Sequence, residues 1–224
     1  MKKVSIIISA MFAISTFIAN AQQSKDSTNQ YAVIEHGNTN EIKTLFGSNH
    51  SNGFYLSYDL GFTTSDKKQT IENGGRIAWI IDHSMAFGFF GNGFISSNEF
   101  NRTINGKKSN VSLAGGYGGL LFEPIVLPKQ PIHVSFPIEL GVGGAGFVPS
   151  SSNRNNSDYN FNNQSYDAFM VLKPGVEMEL NMLKFFRLAL GVQYRFVYGV
   201  KLDGIGKNDL NGISGRIAFK FGKF

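Results

Sequence analysis

Four histidines and no cysteines set the limits on catalysis in this 224-residue chain. His133, Ser135 and Glu139 are the residue types of a nucleophile–base–acid set, and they fall on one side of an alternating segment. Along a strand, however, two residues rise about 6.6 to 7 Å, too far for a direct proton relay. His83 and Ser84 are adjacent in "DHS", which has the composition of a turn, and His36 and His50 have no partner pattern. No metal-ligand spacing, phosphate loop or nucleophile elbow occurs. The "GGYGG" and "GVGGAG" stretches are strand glycines, suited to close packing and curvature. Without cysteine there are no disulfides, thiol catalysis or cysteine metal sites. The expectation is a protein with no catalytic, cofactor or metal site, and not an enzyme.

A different set of reactive side chains follows a rule. Asp59, Arg76, Glu139, Lys173, Glu177, Glu179, Arg187, Arg195, Arg216 and Lys220 all sit at every-second-residue positions opposite apolar ones. From Gly53 onward the period is two, the signature of strands. Phe54, Leu56, Tyr58, Leu60 and Phe62 oppose Tyr55, Ser57, Asp59 and Gly61. Ile77, Trp79 and Ile81 oppose Gly74, Arg76 and Ala78, and Phe87, Phe89 and Ile95 share the apolar face of a third strand. In the fourth, Val111, Leu113, Tyr117 and Leu121 are assigned to the apolar face, with Ser112, Ala114, Gly116 and Gly118 behind them. A fifth sets Ile132, Val134, Phe136, Ile138, Leu140 and Val142 against His133, Ser135, Pro137, Glu139, Gly141 and Gly143. The last three carry Met170 to Leu180, Phe186 to Tyr198 and Ile213 to Phe221 against the remaining charges.

Eight strands of this kind suit an all-β, antiparallel up-and-down barrel, and polarity alone does not say which face is inside. Three features favour a transmembrane barrel with its charges in the lumen. Bulky apolar residues fill one face of all eight strands, and glycine and alanine recur on the other. Aromatics, 13% of the chain, gather toward strand ends at Phe54, Trp79, Phe185, Phe186, Tyr198, Phe219 and Phe221, as interfacial girdles do. From the second onward, the connections alternate short and long: "DHS", "SSNEFNRTINGK", "EPIVLPKQP", the tract around 148–167, "NML" and "KLDGIGKNDLNG". "SDKKQT", the first, fits either length. Tight turns on one side and long loops on the other are the pattern of such barrels. Folding "NML" back would set Glu177 across from Arg187.

The N-terminus gives the expected address. Lys2 and Lys3 precede an apolar run and the small-residue pattern Ala19-Asn20-Ala21, which describes a secretory signal peptide over residues 1–21, cleaved after Ala21; an uncleaved anchor is the alternative. The formal charge of +5 then loses two lysines, and nothing resembles a nucleic-acid tract. Residues 22–51 form a periplasmic segment in which Asn38 and Glu41 have capping-box spacing and Ile42, Leu45 and Phe46 share a face, either a short helix or a solvated tail. Residues 52–224 make the barrel. With the N-terminus in the periplasm, the long loops are extracellular. Arg154, Tyr159 and Phe161 in the loop around 148–167 form a possible contact surface for glycans, other cells or a partner protein, or an ordinary solvated loop.

The chain resembles the small outer-membrane β-barrels of the OmpA and OmpX type. More specifically, its segment "GGYGGLLFEPIVLPKQPIHVSFPIELGVGG" is similar to one in uncharacterised outer-membrane barrel proteins of Gram-negative bacteria. The resemblance implies contact with outer-membrane lipid and with the barrel assembly machinery during biogenesis. Such barrels commonly end in an aromatic residue. Phe224 is terminal here but has the parity of Lys220 and Arg216, so the strand end is placed at Phe221 with "GKF" as a tail. Functionally the expectation is a structural or interaction protein of the envelope with a lumen plugged by its own side chains. A narrow ion or small-solute channel is the alternative, and a lipid-modifying enzyme a distant one.

Overall fold

The computed structural model describes residues 51–65, 68–104, 107–149, 166–202, 206 and 209–224. The signal peptide with its cleavage site, the segment around Asn38, Glu41, Ile42, Leu45 and Phe46, His36 and His50, and the loop residues Arg154, Tyr159 and Phe161 lie outside them.

Alternation drives the chain into nine strands: β1 (Asn52–Ser65), β2 (Lys68–Ile81), β3 (Met85–Ile104), β4 (Lys107–Val126), β5 (Ile132–Ser135), β6 (Ile138–Pro149), β7 (Tyr166–Leu183), β8 (Phe186–Tyr198) and β9 (Gly212–Lys223). Every pairing is antiparallel, and apart from β5 and β6, which do not pair with each other, each strand pairs with its sequence neighbour until β9 returns to β1, closing a barrel. β5 and β6 share one position in the wall, both lying between β4 and β7. Pro137, which has no N–H to give to the ladder, marks the break. The edges are nevertheless closed: Phe136 N donates to Pro124 O at 2.9 Å, and Gly175 N to Pro137 O at 2.8 Å. The barrel thus has the eight wall positions expected from sequence.

The connections differ from the expected rhythm in three places. "SDKKQT" shrinks to a two-residue turn, because Ser65 pairs with Lys68. "SSNEFNRTINGK" is no loop: β3 and β4 run on for 20 residues each and pair as far as Ile104 with Lys107, after a register shift between Ile95 and Glu99. Polar composition there marks a hairpin extension with no apolar face to hide, and backbone pairing does not require one. "NML" is the end of β7, and the turn is Lys184–Phe185, with a register shift between Asn181 and Leu183. The turns at 82–84, 127–131 and 184–185 share one end of the barrel, here the short-turn end. At the other end lie the paired ends of β1 and β2 and of β3 and β4, together with Val200, Leu202 and Leu210.

At the short-turn end, Asp82 and His83 both take left-handed φ, 51° and 58°, and Ser84 N donates to Ile81 O at 3.1 Å. Two consecutive left-handed residues are those of a type I′ turn, whose twist matches that of the flanking strands, here within the three-residue connection 82–84. His83 is therefore engaged by backbone geometry. β9 continues through Gly222 and Lys223, in register with Tyr55 and Phe54, so "GKF" is not a tail. Phe224 follows with the inward parity read from sequence, its ring 6.4 Å from that of Tyr55.

One strand faces opposite to expectation. Val111, Leu113, Tyr117 and Leu121 of β4 point inward and are buried, whereas Leu120 on the other side is 59% exposed. Alternation fixes a two-residue period but not which face is inside. In β4 the choice falls to the space available: the outward positions Gly116 and Gly118 are bare, and the bulky side chains fill the lumen.

Candidate functional site: the lumen

Inward-facing residues form two apolar clusters and a network of charges that interleaves with both: Glu123 stands opposite Ala86, Arg76 opposite Phe90 and Glu72 opposite Phe94. Near the short-turn end Tyr55, Ala78, Ile80, Ala86 and Leu121 make a small apolar cluster, against which Phe224 packs. Toward the long-loop end a larger one gathers Phe90, Phe94, Leu113, Tyr117, Phe147, Phe169 and Val197 with Leu202 and Leu210 from the 199–211 stretch.

All ten charged residues singled out from sequence are buried in the lumen, together with Glu72 and Glu123, giving six carboxylates and six cations among the described residues. Lys220 Nζ lies 2.5 Å from Glu123, 2.5 Å from Glu179 and 3.3 Å from Glu177. Arg76 spans Asp59 at 2.8 Å and Glu177 at 3.0 Å. Arg216 reaches Glu139 at 2.5 Å, Glu177 at 3.5 Å and Asp59 at 3.8 Å. Lys173 bridges Glu72 at 3.0 Å and Glu139 at 3.7 Å, and Arg195 also pairs with Glu72. Arg187 meets Glu179 at 3.4 Å, and its guanidinium stacks 3.9 Å from the Phe224 ring. Phenols link the charges to the apolar clusters. Tyr55 donates to Glu123, Tyr117 donates to Glu72 at 3.0 Å, and Lys173 Nζ donates to Tyr117 Oη at 2.7 Å.

Local chain geometry makes this packing possible. Gly191 stands opposite both Glu177 and Arg216, and Gly61 opposite both Glu72 and Arg216. A Cβ on Gly191 would lie 2.6 Å from Glu177 Cγ. Long charged side chains fold over positions with no side chain, which lets an eight-stranded lumen hold twelve of them.

The pairing expected between Glu177 and Arg187 is not made. Because β7 runs through Leu183 and turns at Lys184–Phe185, Asn181 stands opposite Arg187 and Gly191 opposite Glu177, so Arg187 goes to Glu179 while Glu177 serves Arg76, Arg216 and Lys220. Both carboxylates missed in the sequence carried a signal. Glu72 has the parity of Arg76 in β2, and Glu123 that of Leu121 in β4, where the inverted face and the assignment of "EPIVLPKQP" to a loop concealed it.

The chemistry open to this site is limited by its own neutrality. The carboxylate oxygens of Glu123, Glu177 and Glu179 lie within 4.8 Å of one another, close enough to ligate a cation. The Lys220 ammonium already stands among them, in the place an ion would take. His133 Nε2 turns to Glu179 at 3.0 Å, across the β5–β7 ladder, and does not join Ser135 to Glu139.

On the outer face, the expected girdle residues Phe54, Trp79, Phe185, Tyr198 and Phe221 are exposed, and Phe186 and Phe219 are half-buried. Phe54 stands opposite Trp79, and Trp79 opposite Phe87, whose ring is 5.0 Å from Phe122; Phe186 and Phe221 stack at 4.9 Å. These six form an aromatic row near the short-turn end, with Tyr198 at the opposite end. Phe219 stands opposite Tyr58 further along the wall.

No family model matches the chain, and no curated protein matches it in sequence. Among solved structures, Neisserial surface protein A is similar over 79% of this chain and 100% of its own, at 10% identity and a TM-score of 0.50. The N-terminal β-barrel domain of Pseudomonas aeruginosa OprF is matched over 78% and 99%, at 8% identity and 0.46. Ail, the attachment invasion locus protein of Yersinia pestis, is matched over 76% and 97%, at 12% identity and 0.42. The chain has the fold of the small, OmpA/OmpX-type outer-membrane β-barrels.

Proposed function

We propose that this protein spans the bacterial outer membrane as a closed barrel and works at its loop surface, as a structural or interaction protein of the envelope. The observation that carries the reading is the filled lumen: twelve buried charged side chains, paired with one another, share the interior with two apolar clusters. Outside, Phe54, Leu56, Phe62, Ile77, Trp79, Phe89, Leu140 and Val192 are each about half exposed or more. A continuous apolar belt of that kind on a water-soluble monomer would promote association. In a bilayer it is the lipid-facing surface. The signal-peptide pattern supplies the export route, and the long-loop end then faces outward, with the tract around 148–167 as the surface for an extracellular partner.

Conductance of the purified full-length protein in planar bilayers tests the closed lumen. No steady single-channel current is expected. Reproducible unitary currents from pure protein would replace this reading with a narrow channel.

A further inference from the structure

One part of the inner wall carries no charge. Ladder pairing sets Ser96 opposite Thr70, Thr70 opposite Thr63, Thr63 opposite Ser214 and Ser214 opposite Gln193, across β3, β2, β1, β9 and β8. All five are buried. Directly opposed residues have Cβ atoms about 4.5 to 5.5 Å apart, so these side chains form a continuous row of hydroxyls ending in a carboxamide. The next row toward the short-turn end is Glu72, Gly61, Arg216 and Gly191, which belongs to the charge network.

Hydrogen bonding is incomplete at the Gln193 end of the row. Gln193 is 3% exposed, yet neither Oε1 nor Nε2 has a protein partner; Ser214, 2% exposed, has none for Oγ. Two residues along β8, Nη2 of Arg195 is also unpartnered, although Nε of the same guanidinium donates to Leu210 O at 2.7 Å. Neighbouring residues do not supply the missing bonds. Gly175 opposite Gln193 has no side chain, and the Thr63 hydroxyl donates to Ile213 O at 3.0 Å. Buried amide, hydroxyl and guanidinium groups left in this way are costly, and buried water is their usual partner.

We propose that Gln193, Ser214 and Arg195 Nη2 form a binding site for water, and that the row from Ser96 through Thr70 and Thr63 is the path by which this water exchanges with the long-loop end. The site selects a small neutral ligand that both donates and accepts. The carboxamide offers two N–H groups and an oxygen, the hydroxyl offers one of each, and no unpaired carboxylate draws a cation in. The lumen is thereby hydrated along one wall while the paired charges beside it remain closed to ions.

The test is water-to-protein cross-relaxation by NMR on the full-length protein in lipid nanodiscs, followed by transfer into D2O. Cross-peaks from water to the Gln193 carboxamide protons are expected, with exchange far faster than that of the surrounding strand amides. Thr63→Val, close in shape but without the hydroxyl, should keep the cross-peaks and slow the exchange. Carboxamide protons that show no water contact, or that exchange only as slowly as the backbone amides of β8, would overturn the site. Unchanged exchange in Thr63→Val would overturn the path. The wild-type measurement stands without any variant, and heat-dependent gel migration checks that Thr63→Val has folded.

Discussion

Lys220 shows what a single buried charge does in this barrel. Its ammonium is the shared counter-ion of Glu123, Glu177 and Glu179, all fully buried. Taking charges out of water is expensive, and removing one partner leaves the others uncompensated. Lys220→Met should therefore destabilise the barrel by about 3–5 kcal/mol, the range for breaking a buried pair. The urea midpoint in detergent, followed by fluorescence of the single Trp79, measures it. Adding Glu179→Gln to Lys220→Met should recover part of the loss, because one stranded carboxylate is removed. A Lys220→Met barrel as stable as the parent would mean that water, and not the ammonium, balances those carboxylates. Membership of this cluster was only partly legible in the sequence. Lys220, Glu177 and Glu179 stood on polar faces, whereas Glu123 lay beyond an assumed strand end and on a face read the wrong way round.

At the scale of the strand, two glycines, Gly191 on the inner wall and Gly91 on the outer, differ in how closely their neighbours pack. An added Cβ on Gly191 would come within 2.5 Å of Val176 O and 2.6 Å of Glu177 Cγ, whereas one on Gly91 would meet nothing within 4 Å. Gly191→Ala is expected to cost about 1–3 kcal/mol through overpacking, and Gly91→Ala less than about 0.5 kcal/mol, as at an unconstrained surface site. Paired urea titrations of the two variants read the difference, and equal midpoints would contradict the packing of Glu177 over Gly191. Element boundaries were the least legible feature at this scale. The β3–β4 extension is built from "SSNEFNRTINGK", whose polar composition matches that of a loop, while the pairing that makes it a hairpin is a backbone property. The end of β7 differs for a related reason: where a polar strand end gives way to its turn leaves little trace in composition, yet the turn at Lys184–Phe185 sets Gly191, and not Arg187, opposite Glu177.

For the whole molecule, the relevant contrast is between a wall facing lipid and one facing water. Leu140 lies in the outward apolar belt, 51% exposed, between Leu120 and Leu172 on the adjoining strands. Leu140→Arg should weaken the folded barrel by about 2–4 kcal/mol if that position lies near the bilayer midplane. Equilibrium unfolding from phospholipid vesicles measures it, and a neutral effect would argue against a membrane belt. Closure of β9 onto β1 leaves no free edge from which to unzip. The unboiled protein is accordingly expected to migrate differently from the boiled one on gels, and identical migration would count against the closed barrel.

The alternation of side chains by itself determined the strand period, the polar character of one face and the eight-position barrel, because a period of two is a local property that needs no knowledge of neighbours. It also placed ten of the twelve lumen charges on the correct face. Only the closed structure decided the direction of β4, the partner of each charge and the capping of the short-turn end by Phe224. Those depend on what stands across a lumen only a few side chains wide, and that is set by register and closure, to which residues far apart in the chain contribute jointly.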